Sequence, residues 1–138
     1  MNEAERREIQ EAIDAADEAL YHLYSARKYL NSAGNWGLLD IFGGGLISGL
    51  IKHGKMSDAE NEIEKAKYAL QKFSKELRDI SGYSSIHIDD FLTIADFIFD
   101  GVLTDFWVQS KINKAKDQCD EAIIQVDTIR TELRSKIN

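Results

Sequence analysis

The sequence predicts an all-α fold, an elongated antiparallel bundle of three long helices with two short helical corners, and three observations carry that prediction. No proline interrupts the 138 residues, and most of the nine glycines gather in short stretches, so long unbroken helices are locally favoured. Apolar or small residues recur in alternating steps of four and three in three separate segments, a spacing that lines up one helix face. Each stripe runs for about three heptads, or roughly 32 Å at 1.5 Å per residue, and matched lengths suit rods packed side by side.

The first helix is expected over 2–33. Its stripe is Ile9, Ile13, Ala16, Leu20, Leu23, Arg27 and Leu30, broken only by Arg27, and Asn2 with Glu5 makes a weak capping box at its start. A Gly-rich corner with a short helix follows. The second helix is expected over 57–80, with Ala59, Ile63, Ala66, Leu70, Phe73, Leu77 and Ile80 on its stripe. Ser57 and Glu60 are placed to cap it reciprocally, each side chain reaching an exposed amide of the first turn. "SGYSS" at 81–85 ends that helix, and "DDFLTIADFIFD" forms a second corner with a short helix before Gly101. The third helix is expected over 104–137, on Ile112, Ala115, Cys119, Ala122, Val126, Ile129 and Leu133.

These elements make one domain, 1–138. A gapless shift of 56 residues aligns "DIFGGGLISGLIKHGKMSDAE" with "DFIFDGVLTDFWVQSKINKAK", which reads as an internal repeat of corner plus helix, 38–79 and 94–135. Because that shift is a multiple of seven, any two heptad helices would align under it, and only the corner matches are independent support.

Charge narrows the function classes. A net charge of −7 opposes broad binding to nucleic acid and to an anionic bilayer, both of which want a basic face. A single cysteine leaves neither an internal disulfide nor a multi-cysteine metal site, which agrees with a reducing compartment. The first thirty residues carry charge throughout and lack the order of a signal peptide, and no stretch of about 18 apolar residues is free of charge. A cytoplasmic protein without a membrane span is expected.

No motif supplies a complete catalytic or metal site. Gly49, Gly54 and Lys55 match part of a phosphate loop, but Met56 stands where the magnesium-binding hydroxyl belongs and no strand precedes it. "DFIFDG" at 96–101 resembles half a calcium loop, yet Ile98 and Trp107 occupy ligand positions that need oxygen. Asp40 and Asp96 are expected instead to bond backbone amides at a turn or helix start. His22, His53 and His87 lack the Glu-x-x-His pairing of metal-binding bundles, and His22 is expected to pair locally with Glu18. Cys119 reads as a small buried thiol of the third stripe. No cofactor, metal ligand or catalytic residue is assigned.

The distinctive segment is "NWGLLDIFGGGLISGLIKHGK". Its candidate binding residues are Trp36, Asp40, Gly43, Gly44, Gly45, Lys52 and His53. Either its apolar groups roof the end of the bundle, with the triple glycine allowing close approach, or they form a partly exposed docking patch beside a basic cluster. The segment resembles a group of small, mostly bacterial helical proteins of uncharacterised function that carry similar Asn-Trp-Gly, Asp, triple-Gly and Lys-His elements. That resemblance implies an all-helical fold and brings with it no activity, cofactor or site.

The functional expectation is a non-enzymatic interaction or scaffolding bundle, its partner a protein or a second copy of itself. The alternatives are a small-ligand or enzymatic site at the Gly-rich corner, with Asp40, Lys52 and His53 drawn together, and peripheral membrane contact through the corners holding Trp36 and Trp107. Acidic charge argues against the membrane alternative.

Overall fold

The structure, a computed structural model, describes residues 1–40, 55–80, 86–100 and 109–138. Among the described residues every regular element is a helix and no strand occurs. The elements are α1 (Glu3–Asp40), α2 (Lys55–Asp79), α3 (Ile86–Ala95) and α4 (Gln109–Ile137).

α1 starts where the sequence places it. The Asn2 side-chain oxygen accepts the Glu5 amide at 2.8 Å, and the Asn2 amide nitrogen donates to Glu5 Oε1 at 3.2 Å, so the cap is made through paired side chains. The helix does not stop at residue 33. It continues through Gly34 and Gly37 to Asp40, so the first part of the expected corner is helix. Glycine lowers helix propensity by about 1 kcal/mol but keeps its N–H and makes no clash, so two isolated glycines weaken a helix without ending it. α2 begins at Lys55, two residues before Ser57, which places Ser57 inside the helix rather than at its cap. The expected start of the third helix at 104 lies outside the described residues, as do the corners 41–54 and 101–108 on which the repeat depends.

The stripes of α2 and α4 are buried at every expected position. α1 differs. Leu20 is only partly buried and Arg27 is exposed, while Ala12, Ala15, Ala19 and Ala26 join Ile9, Ile13, Ala16, Leu23 and Leu30 in the core. The reason is that, among the described residues, α1 has two long neighbours, whereas α2 and α4 each have one long neighbour and the short α3. α1 packs against both α2 and α4, so it needs an apolar arc wider than one heptad seam, and alanine keeps that arc thin enough for both helices to approach.

α3 also packs against α2 and α4, but not against α1, and α2 and α4 make no close main-chain approach to each other among the described residues. α3 therefore occupies the side of the α2/α4 pair that faces away from α1. It is a fourth wall rather than a corner. Bulk follows the same division, because the three largest fully buried side chains, Phe73, Phe91 and Phe99, come from α2, α3 and the turn after α3. The Phe73 and Phe91 rings sit 5.2 Å apart at an interplanar angle of 51°. Small residues fill the layer at α1 and aromatic ones the layer at α3.

The turn after α3 is closed by the Phe97 amide on the Ile94 carbonyl at 3.0 Å and by the Asp100 amide on the Phe97 carbonyl at 3.1 Å. Phe99 there has φ of 64°, a left-handed conformation that a bulky residue adopts at a cost of order 1–3 kcal/mol. Its side chain is buried, and that burial offsets the strain.

Polar contacts between helices run in a fixed order. Arg6, Asp17 and Arg27 along α1 meet the Ile137 carbonyl, Arg130 and Asp120, retreating along α4. Between α1 and α2, Glu18 accepts from Lys72 at 3.4 Å and His22 Nδ1 lies 3.2 Å from Glu62. His22 thus pairs across helices and not with Glu18, which Lys72 engages instead. Exposed pairs of this kind contribute about 0–1 kcal/mol each, so they mark register more than they stabilise.

If the alanine arc sets the spacing of α1 from its neighbours, Ala19→Leu will lower stability by about 1–3 kcal/mol through overpacking, whereas Arg27→Ala will cost less than about 1 kcal/mol. Urea denaturation of the two variants measures both.

Candidate functional site

The expected site at the Gly-rich corner is not assembled within the described residues. Trp36 and Asp40 belong to the last two turns of α1, while Gly43, Gly44, Gly45, Lys52 and His53 lie outside the described residues. Asp40 ends α1, and the backbone amides that it was expected to bond at a turn or helix start lie outside the described residues.

The acids of the calcium-like run are drawn to cations on α2. Asp100 accepts from Lys67 Nζ at 2.9 Å, and Asp96 lies 3.9 Å from Arg78 Nη2. Asp96 therefore faces a side chain rather than a backbone amide. Among the described residues no three His, Cys, Asp or Glu side chains gather where one ion could touch them all. No described helix is long and apolar enough to cross a membrane.

Cys119 is buried in the α4 stripe, as its position predicts. Burial pushes its thiol up from 9.0 to about 12, with Asp120 adding to the rise and Arg27 opposing it. The thiolate that nucleophilic chemistry needs is suppressed.

A concave surface that combines apolar and polar groups lies between α3 and α4. Two depressions, about 250 and 290 Å³ in volume, follow each other along this groove. One is lined by Thr93, Ile94, Phe97, Ile98, Gln118 and Glu121, the other by His87, Asp90, Ile124, Gln125 and Thr128. The helical repeat explains the arrangement. Ile88, Phe91 and Ala95 turn into the core, which leaves His87, Asp90, Ile94 and Phe97, in steps of three, four and three, as one wall. Gln118, Glu121, Gln125 and Thr128 repeat the same steps on α4 as the other wall. His87 bonds Glu132 across the two helices and ties the wall at one end.

Three properties of this groove bear on what it can bind. Phe97 and Ile124 stand 69% and 66% exposed on its rim, large apolar side chains left in water. The side-chain oxygens of Gln118 and Gln125 are buried and accept no hydrogen bond among the described residues. The Gln125 amide nitrogen donates to Glu121 Oε1 at 3.3 Å, which fixes the orientation of that amide. Finally, Asp90 and Glu121 take part in no ion pair among the described residues.

The heptad stripes of the sequence do not reveal this groove. Ile124 was the available signal, because it falls off the α4 stripe while its neighbour Ile123 packs against the core. No protein-family model, curated protein or solved structure matches the chain.

The raised thiol of Cys119 has a consequence at high pH. The folded state holds a proton that the unfolded chain releases near pH 9, so this contribution to stability is complete below about 9 and is lost as pH rises towards about 12. Chemical denaturation across that window will show a smaller loss of stability for Cys119→Ala than for the native sequence.

Proposed function

We propose that the protein is a non-enzymatic interaction or scaffolding bundle whose partner docks in the groove between α3 and α4. In this reading α1, α2 and α4 are three long antiparallel helices of an elongated bundle, supported by the reversed order of side-chain pairs between α1 and its two neighbours. α3 closes the remaining side and supplies one wall of the docking surface. A cytoplasmic setting belongs to the same reading, supported by a lone cysteine kept as a buried thiol.

The observation that carries the proposal is the coincidence of exposed Phe97 and Ile124 with the unpartnered oxygens of Gln118 and Gln125. Apolar surface in water costs about 25 cal/mol per Å², and a buried acceptor without a donor costs about 1–3 kcal/mol. A monomer stable on its own would gain by replacing these residues. A partner that covers the rim and donates into the groove removes both penalties at once.

Nile red, a neutral hydrophobic dye, tests whether the groove is open. The native protein should enhance its fluorescence, and the double variant Phe97→Ser/Ile124→Ser should lose most of that enhancement with unchanged helicity by circular dichroism. Enhancement that survives the double substitution would place the accessible apolar surface elsewhere and remove the basis of the proposal.

A further inference from the structure

We infer that the α3/α4 groove takes a basic amphipathic helix of a partner protein, with lysine or arginine donors directed at Asp90, Glu121 and the oxygens of Gln118 and Gln125. The inference rests on the docking reading above and adds the chemistry of the occupant.

The shape of the groove selects a helix. Its walls are a stripe from His87 to Ile94 on α3, continued by Phe97 in the turn that follows, and a stripe from Gln118 to Thr128 on α4, the latter about 15 Å long at 1.5 Å per residue. A trough between two helices accepts a third by ridges-into-grooves packing, and this length suits two to three turns. The two depressions lie one after the other along it, and Gln118 and Gln125 are seven residues apart, the spacing at which a docked helix presents the same face again.

Charge selects the sign. Asp90 and Glu121 line the two depressions without an ion pair among the described residues, while the neighbouring acids Asp96, Asp100 and Glu132 are already engaged by Arg78, Lys67 and His87. Gln118 and Gln125 line the same depressions, and their unpartnered side-chain oxygens are acceptors as well. Lysine and arginine carry several donors and no acceptor, so each can serve a carboxylate and an amide oxygen together, which an acidic or purely apolar helix cannot. A second copy of this chain is the weaker candidate, because two molecules of charge −7 repel and the groove would meet carboxylates.

The experiment titrates the full-length, isotope-labelled protein with synthetic amphipathic peptides of about 18 residues at about 0.15 M salt. One peptide has leucine on one face and lysine and arginine on the other. A second replaces the basic residues with glutamate, and a third shuffles the basic sequence so that the apolar face is lost. The inference expects the first peptide to shift the amide signals of Phe97, Gln118 and Gln125 and to bind at least about tenfold more tightly than the other two. It also expects Phe97→Ser/Ile124→Ser to weaken that peptide by about tenfold or more, Asp90→Asn/Glu121→Gln to weaken it several-fold, and Tyr68→Ser, an exposed position on α2, to leave it unchanged.

The outcomes separate the two levels. If the acidic peptide binds the groove as well as the basic one, docking stands and the basic occupant is overturned. If the basic peptide binds but ignores the groove substitutions, or binds equally when shuffled, its attraction is diffuse charge and the inference falls. If no peptide shifts any groove signal, the docking reading falls with it. All five substituted side chains are solvent-facing or partly exposed, and circular dichroism confirms that each variant is folded.

Discussion

The packing of one helix against two others is the constraint from which the rest of the structure follows. α1 meets α2 on one flank and α4 on the other, and it can do so because Ala12, Ala15, Ala16, Ala19 and Ala26 keep its apolar arc wide and shallow. Larger side chains at these positions would hold one helix away. With α2 and α4 placed by α1 and making no close main-chain approach to each other among the described residues, a gap would remain on their far side, and a protein interior does not tolerate such a gap. α3 fills it with Phe91, backed by Phe73 from α2 and Phe99 from the turn.

The same economy explains why the groove exists. α3 is only ten residues long and spends its apolar face on the core, so the groove wall it supplies is built from what is left, a histidine, an acid and an isoleucine at intervals of three and four, with Phe97 added by the turn that follows. α4 likewise commits one full stripe to the core. Its facing row is two glutamines, a glutamate and a threonine. Two helices that satisfy the core first leave between them a surface with apolar rims and acceptor-rich walls. The strained Phe99 holds Phe97 at the end of that surface, because the buried ring anchors the turn in which both lie.

How much of this could be read from the sequence depended on whether a helix packs against one long helix or two. α4 buries only the heptad stripe that its spacing announces, and α2 buries the whole of its stripe with Ala69 and Ser74 beside it. α1 was harder, since a helix with two partners needs an arc rather than a seam, and Ala26 takes the core position that the heptad gave to Arg27. Its far end was misplaced because glycine is a weak stop signal and proline, the strong one, is absent. His22 pairs with Glu62 rather than with Glu18 because an inter-helix partner exists that no local spacing reveals. The site was least legible. The Gly-rich corner drew attention by its unusual composition, whereas the groove is made of ordinary residues that matter only once two helices bring their rows together, and Ile124 alone stood out of register.

Methyl-labelled alanine gives the most direct test of the central claim. In a protein labelled at alanine, isoleucine and leucine methyls, the alanine methyls of α1 should show nuclear Overhauser contacts to side chains of α2, such as Ile63 and Leu70, and also to side chains of α4, such as Ile112 and Ile129. Contacts to only one of these helices, or contacts linking α2 directly to α4 in place of α1, would contradict the account.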